Sequence, residues 1–397
     1  MGEIDTASHV VMHQGRSVYN SASEFLEKTA SRERFKSNNF MELVLDFATD
    51  DSNRMASGRL NRIRRETKGI SPTTYRNTVE REGVAIQEHI ERKCDEALTA
   101  NGFTWNGEAY ENDNFVSNAQ QHIMQAEIEN AAIELGIESY EASDYELLND
   151  TVSVSIDEVG VKRQTETRPK NEEMQQAKRV ENTVLHIQHK NRSYILNATS
   201  LISGIKLLMG FLLINGLIRK QIVVFADGAR TIHTAVLKML GFANIKIILD
   251  WYHLHKKCKE NLSMALNGSK VRNAFLDVLM PCLWHGNVER AIRLLEDINP
   301  KKVKNQDYIR ILIDYFRRVR EYVPCYALRK KLGLRNSSNM GEKANDIVVS
   351  NRQKHNGMSW SNNGSSSFAS VSSASHNRET LNWIHHRKIC FEFRKGA

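Results

Sequence analysis

Between Thr151 and Gln164 apolar and polar positions alternate, with Val152, Val154 and Ile156 against Ser153 and Ser155. A period of two built on β-branched residues predicts a strand over 152–156. It closes on Asp157-Glu158, and Gly160 just beyond predicts a tight turn. Two more apolar runs close on aspartate: 221–226 (QIVVFA) before Asp227-Gly228, and 245–249 (IKIIL) before Asp250. Further strands are predicted over 180–188 and 193–197. The apolar run 201–218 approaches membrane-spanning length. Lys206, Asn215 and three glycines interrupt it, and it lies between two predicted strands, so it is expected to be a helix buried on the sheet. A second helix is expected over 232–240.

Outside this block the period is helical. From Trp251 to about Gly333 apolar positions such as Ile309, Leu312, Ile313 and Phe316 recur at helical spacing. Another helix is expected over 342–352. The serine-rich stretch 365–375 reads as a loop or helix edge. In residues 1–150 short helices are expected over 23–28 and 40–47, and a longer one over 84–100, where Ile86, Ile90, Cys94 and Leu98 form one stripe. Residues 101–118 read as loop and 119–148 as acidic and largely helical. Over 54–83, a basic helix stops at Gly69. A second begins with Ser71 as N-cap and Pro72 in the first turn, and Gly83 is expected to end it. Two short helices joined at a glycine fit a helix-turn-helix. In that reading Thr73, Thr74, Arg76 and Asn77 face bases or phosphates, with Arg62, Arg64 and Arg65 beside them. An ordinary helical hairpin with a solvated basic face is the alternative.

Charge sharpens the division. Over 397 residues the net charge is +8. Residues 1–150 carry 15 Lys and Arg against 27 Asp and Glu, and the remainder carries 40 against 20. So large a basic excess on one part of the chain points to a polyanion, most simply nucleic acid. Its clusters are Lys162, Arg163, Arg168 and Lys170, and, in the helical segment, Lys301, Lys302, Arg317, Arg318 and Arg320. The five cysteines are scattered with no CxxC pair, which supports neither a disulfide framework nor a zinc knuckle. The N-terminal MGEIDTASHVV lacks the order of a signal peptide.

Asp157 and Asp227 fall on strands expected to be neighbours. Carboxylates at adjacent strand ends suit hard divalent cations, which take oxygen ligands. Two such ions can activate an attacking oxygen and stabilise a leaving one at phosphorus. A third carboxylate would come from a helix across the sheet: Glu342, with Asp346 one turn on as fallback. Each residue also has a plainer reading. Asp157 and Asp227-Gly228 suit turns, and Glu342 lies three residues after Asn339, as the return partner of a helix cap does.

The series Ser155-Ile156-Asp157-Glu158-Val159-Gly160, Ala226-Asp227-Gly228-Ala229, Asp250-Trp251-Tyr252-His253 and Gly341-Glu342-Lys343-Ala344-Asn345-Asp346 resembles the DDE transposases of bacterial insertion sequences. Arg352-Gln353-Lys354-His355-Asn356-Gly357-Met358-Ser359-Trp360-Ser361 resembles the segment after their catalytic glutamate. The similarity spans roughly 150–385. It implies a ribonuclease H-like α/β catalytic domain over 151–397 with a helical insertion at about 251–333. A mainly α-helical N-terminal region, 1–150, precedes it. The resemblance implies a catalytic, metal-binding triad of Asp157, Asp227 and Glu342, with Mg²⁺ or Mn²⁺ as cofactor, and places Asp250 and His253 close to the active site. The partners it implies are DNA, as transposon ends and target, with a homo-oligomer forming on DNA. No membrane association is expected, and the location is the bacterial cytoplasm, at the nucleoid. The alternatives are another ribonuclease H-like nuclease and a catalytically inactive, transposase-derived DNA-binding protein.

Overall fold

The computed structural model describes residues 11–13, 16–18, 37–65, 69–164, 179–354 and 358–395. The helix expected over 23–28, Lys68, Arg168, Lys170 and His355–Gly357 lie outside the described residues.

A short antiparallel hairpin, β1 (Val11–His13) and β2 (Arg16–Val18), precedes three helices: α1 (Asn38–Asp50), α2 (Asn53–Ile63) and α3 (Pro72–Ala100). A second hairpin, β3 (Thr104–Trp105) and β4 (Tyr110–Glu111), leads to α4 (Gln125–Leu135). The main sheet comprises β5 (Thr151–Lys162), β6 (Arg179–His189), β7 (Arg192–Ala198), β8 (Gln221–Ala226), β9 (Ile245–Leu249) and the terminal β10 (Arg394–Lys395). Helices α5 (Leu201–Ile214) and α6 (Arg230–Leu240) connect the strands. Beyond β9 come α7 (Trp251–Ala265), α8 (Gly268–Trp284), α9 (Val288–Glu296), α10 (Gln306–Val319) and α11 (Tyr326–Lys331). The chain then returns through α12 (Asn339–Asn345), a π-helical segment over Asp346–Ser350 and α13 (Asn351–Gln353), and ends with α14 (Asn362–His376) and α15 (Thr380–His386).

The strand order is β10-β7-β6-β5-β8-β9, so the molecule is mixed α/β. β5 runs antiparallel to β6 and parallel to β8, and β8 runs parallel to β9. The all-helical segment expected after the last strand is present as α7–α11. Its buried face, including Leu254, Leu262, Leu312 and Phe316, joins Val223, Phe225 and Ile248 of the sheet in one core. In the larger core α3, α5 and α14 meet the remaining strands.

Several sequence expectations change. β5 does not end at Ile156: its pairing with β6 runs on to Lys162 opposite Arg179, and Gly160 is a strand residue opposite Glu181, not a turn. Pairing with β6 supplies backbone partners that the local sequence does not advertise. α3 starts as expected, with the Ser71 hydroxyl accepting from the Thr74 N–H at 3.0 Å. It does not stop at Gly83 but runs to Ala100 as a single 29-residue helix. The helix-turn-helix of two short helices is therefore replaced by a short helix and a long one. At Gly83 a β-carbon would lie 2.2 Å from the Ser367 carbonyl oxygen, so the glycine is where α3 touches α14 rather than a helix stop.

The serine-rich stretch is the buried helix α14, not a loop. Small side chains let its backbone approach α3. Two of its buried hydroxyls find partners, Ser365 with Gln353 and Asn182, and Ser370 with the Ser366 carbonyl, while those of Ser367, Ser372 and Ser373 have none among the described residues. A boundary at residue 150 does not separate two cores either, because Tyr75, Val79, Ile86, Ile90 and Cys94 of α3 share a cluster with the sheet.

Candidate functional site

The register of the sheet builds one row of carboxylates. The last parallel pair of β5 with β8 is Ser155–Phe225, and the last of β8 with β9 is Ala226–Leu249. Two positions past the first pair stand Asp157 and Asp227. One past the second stand Asp227 and Asp250. The row lies at the carboxyl edge of β8 and β9, beside the central strand where the connections change direction. In open α/β sheets that is where ligands bind.

Asp157 keeps β6 on one side, opposite Val184, and has lost β8 on the other. Its Oδ1 accepts from the Glu158 N–H at 2.9 Å, and its Oδ2 from the Asn345 amide. Burial raises its pKa; His253 opposes that shift and the Asp227 charge adds to it. Asp227 accepts from the Ala229 N–H at 2.8 Å, which fixes the turn between β8 and α6.

Glu342 reaches the row from α12. Gly341 lets that helix approach β5, since a β-carbon there would meet Ser155 Cβ at 2.6 Å. Burial raises the Glu342 pKa; His253 opposes, and the charges of Asp250, Asp157 and Asp346 add to the rise. His253 Nε2 lies 3.8 Å from Glu342 Oε1. Asp346 is exposed and opens the π segment, whereas Asn345, one residue earlier, is buried and holds Asp157.

Asp250 is spent on structure. It is 1% exposed, caps α7 by accepting from the His253 N–H at 3.0 Å, and accepts from the Ser338 N–H just before α12. It thus joins the α7 N-terminus, and with it His253, to the approach of Glu342. Glu158 is exposed; burial of its carboxyl and the charges of Glu181, Asp227 and Asp157 raise its pKa.

The hard oxygen donors Asp157, Asp227 and Glu342 suit a divalent cation, and their mutual charge pressure is what such a cation relieves. Among the described residues no three His, Cys, Asp or Glu side chains are grouped tightly enough to hold an ion, so the three are neighbours without converging on one point.

Arg62, Arg64, Arg65, Thr73, Thr74, Arg76 and Asn77 are all exposed, on α2, the turn after it and the start of α3. Arg64 stacks over Phe40 at 5.2 Å, and Arg76 reaches Asn77 and Glu80. Of the basic run at the end of α10 and just after it, Arg317 pairs with Glu296 at 3.0 Å and Arg320 with Glu289 at 3.1 Å. Arg318 instead lines a cleft that opens at Asp227. Arg352 is buried between Trp360 and Phe368, and Trp360 bonds the end of β5 through the Lys162 carbonyl, so this part of the segment after Glu342 is structural.

Sequence reasoning missed Asn345, which holds Asp157, and Tyr315, Lys256 and Lys257, which line the cleft at Asp227. Asn345 had one legible signal, its three-residue spacing from Glu342, which puts both on one helix face.

No helix among the described residues is long and apolar enough to cross a membrane. No family model matches the chain, and no curated protein matches it. Among solved structures it is similar to a chain of the Drosophila P element transposase strand transfer complex, with 11% identity and a TM-score of 0.27, over 91% of this chain and 83% of that one. A likeness of that degree leaves the reading of the site to its own residues.

Proposed function

We propose that the protein is a DNA transposase with a ribonuclease H-like catalytic domain, cutting DNA at element ends and joining the freed 3′-hydroxyl to target DNA. The observation that carries this reading is the register that sets Asp157 beside Asp227, with Glu342 delivered to the same edge by a helix against Ser155. Asp157, Asp227 and Glu342 would hold Mg²⁺ or Mn²⁺. Such an ion lowers the pKa of an attacking oxygen and stabilises a leaving one.

The chain's own groups prepare the site. Asn345 and the Glu158 N–H fix the rotamer of Asp157. Asp250 fixes the entry of α7 and α12. His253 sets a cationic partner beside Glu342 when protonated. The exposed Arg62, Arg64, Arg65, Thr73, Thr74, Arg76 and Asn77 form a second, separate contact surface for DNA. Arg318 serves at the cleft, and Arg317, already paired, contributes less. Holding two ends together calls for a homo-oligomer on DNA.

The competing reading, an inactive DNA-binding descendant, is favoured by the Asn345 amide occupying one oxygen of Asp157. Product analysis separates these readings. The chain is incubated with DNA carrying the flanking terminal sequences in Mg²⁺ or Mn²⁺, with Ca²⁺ as a binding control. Nicks ending in 3′-hydroxyl, followed by joined products, are expected from wild type, and neither from Asp157→Ala, which still binds DNA. Cutting without joining would indicate a nuclease instead. Binding with no cutting by wild type would leave the inactive reading.

A further inference from the structure

Beside Asp227 lies a cleft of about 330 Å³ lined by Asp227, Gly228, His253, Lys256, Lys257, Glu260, Tyr315 and Arg318, among others. We propose that it seats a phosphodiester of the nucleic-acid backbone. The Tyr315 hydroxyl donates to a phosphate oxygen, and Lys256, Lys257 and Arg318 neutralise its charge. The inference rests on the reading of this edge as the place where DNA is handled, and it adds which side chains grip the strand there.

The first support is an unmade hydrogen bond. Tyr315 is only 6% exposed, and its hydroxyl has no partner among the described residues although it lines the cleft. A buried hydroxyl left unpaired is costly, and a ligand oxygen in the cleft would satisfy it. Gly228, which also lines the cleft, packs directly against that buried hydroxyl. Its φ is +83°, and a β-carbon there would lie 2.7 Å from Tyr315 Oη, so any side chain would close the wall.

The second support is charge. Lys257 Nζ and Arg318 Cζ lie 5.9 and 5.5 Å from the Tyr315 ring centroid. Among the described residues neither they nor Lys256 forms an ion pair, unlike Arg317 on the same helix as Arg318 and Arg320 just after it. Asp227 and Glu260 also line the cleft and oppose an anion, but three cations, Lys256, Lys257 and Arg318, line it with them. The third support is shape. A neighbouring groove along α7, lined by Tyr252, His255, Lys256, Lys259 and Glu260, shares Lys256 and Glu260 with the cleft. A polymer runs on from one to the other, whereas a small phosphate fills only the first.

The test is fluorescence anisotropy of a labelled DNA duplex in Ca²⁺ across a salt series. The proteins are wild type, Tyr315→Phe and the double variant Lys256→Ala/Lys257→Ala, each checked for folding by circular dichroism. Tyr315→Phe keeps the ring and removes only the donor; it should weaken binding about 10-fold. The double lysine variant should lower the slope of log affinity against log salt by nearly 2. Wild-type affinity and slope in both variants would overturn the proposal. So would inorganic phosphate at low millimolar concentration displacing DNA as well as an unlabelled duplex does, which would mark a small-anion site. These readouts need no cleavage. Loss of binding in the variants with an inert wild type keeps the phosphate seat and sinks the catalytic reading. Unchanged binding with an active wild type does the reverse.

Discussion

Asp157 and His186 belong to the same small region of the sheet, with opposite demands. His186 sits on β6 opposite Ser155, two residues before Asp157, and is 5% exposed. Burial, with the Arg335 and His376 charges adding, lowers its pKa to about 4. Its unfolded value is near 6.5, so the unfolded chain binds more protons between these two values. Stability from keeping His186 neutral is therefore full above about 6.5 and is lost as pH falls towards 4, by up to about 3 kcal/mol. Urea unfolding at pH 7 and pH 5 checks this: wild type should lose more stability than His186→Leu over the interval, and equal losses would contradict it. The residues of the candidate site were unevenly legible in sequence. Asp157 and Asp227 announce themselves because alternation predicts the strands and the acid interrupts it. Asn345 and Tyr315 do not, because an amide beside a carboxylate and a phenol without a partner are products of tertiary contact.

At the level of elements, the close approach of α14 to α3 decides what sequence patterning could not. α14 has little hydrophobic contrast along it, so its burial was invisible, yet Ser365, Ser367, Ser370 and Ser373 are all core residues. What selects small residues there is distance to α3, and Gly83 marks the contact. Gly83→Ala places a methyl group 2.2 Å from the Ser367 carbonyl oxygen. The helices must separate, at about 1–3 kcal/mol. Chemical denaturation should show that loss against wild type; at Gly58, where nothing lies within 4 Å, alanine should show none of it. Wild-type stability of Gly83→Ala would contradict the packing. The strands were read more faithfully: 221–226 and 245–249 match β8 and β9, because short β-branched runs between turn residues leave little else to form. β5 was read short because Asp157, Glu158 and Gly160 are poor strand formers locally, and pairing with β6 overrides them.

For the whole molecule, charge suggested a division that packing does not follow. The acidic first 150 residues and the basic remainder are joined through α3 and through a buried ion pair. Arg329 of α11 is fully buried and meets Glu146 with bidentate contacts of 2.6 and 2.7 Å, while also reaching the carbonyls of Asp144 and Arg335. It clamps the helical segment after β9 to the segment leading into β5. Arg329→Met strands a buried carboxylate and should cost about 3–5 kcal/mol, whereas Glu146→Gln combined with Arg329→Met should recover part of that loss. Equilibrium unfolding of the two variants against wild type measures it; a harmless Arg329→Met would show that the clamp is not needed.

The central claim is that Asp157, Asp227 and Glu342 act as one centre, and the rate of DNA end cleavage in Mg²⁺ tests it most directly. Asp157→Asn, Asp227→Asn and Glu342→Gln should each lower that rate on the order of 10³-fold or more, and combining any two should lower it little further, because residues acting as a unit are not additive. Cleavage within about tenfold of wild type in any single variant, or losses that multiply in the doubles, would contradict the account.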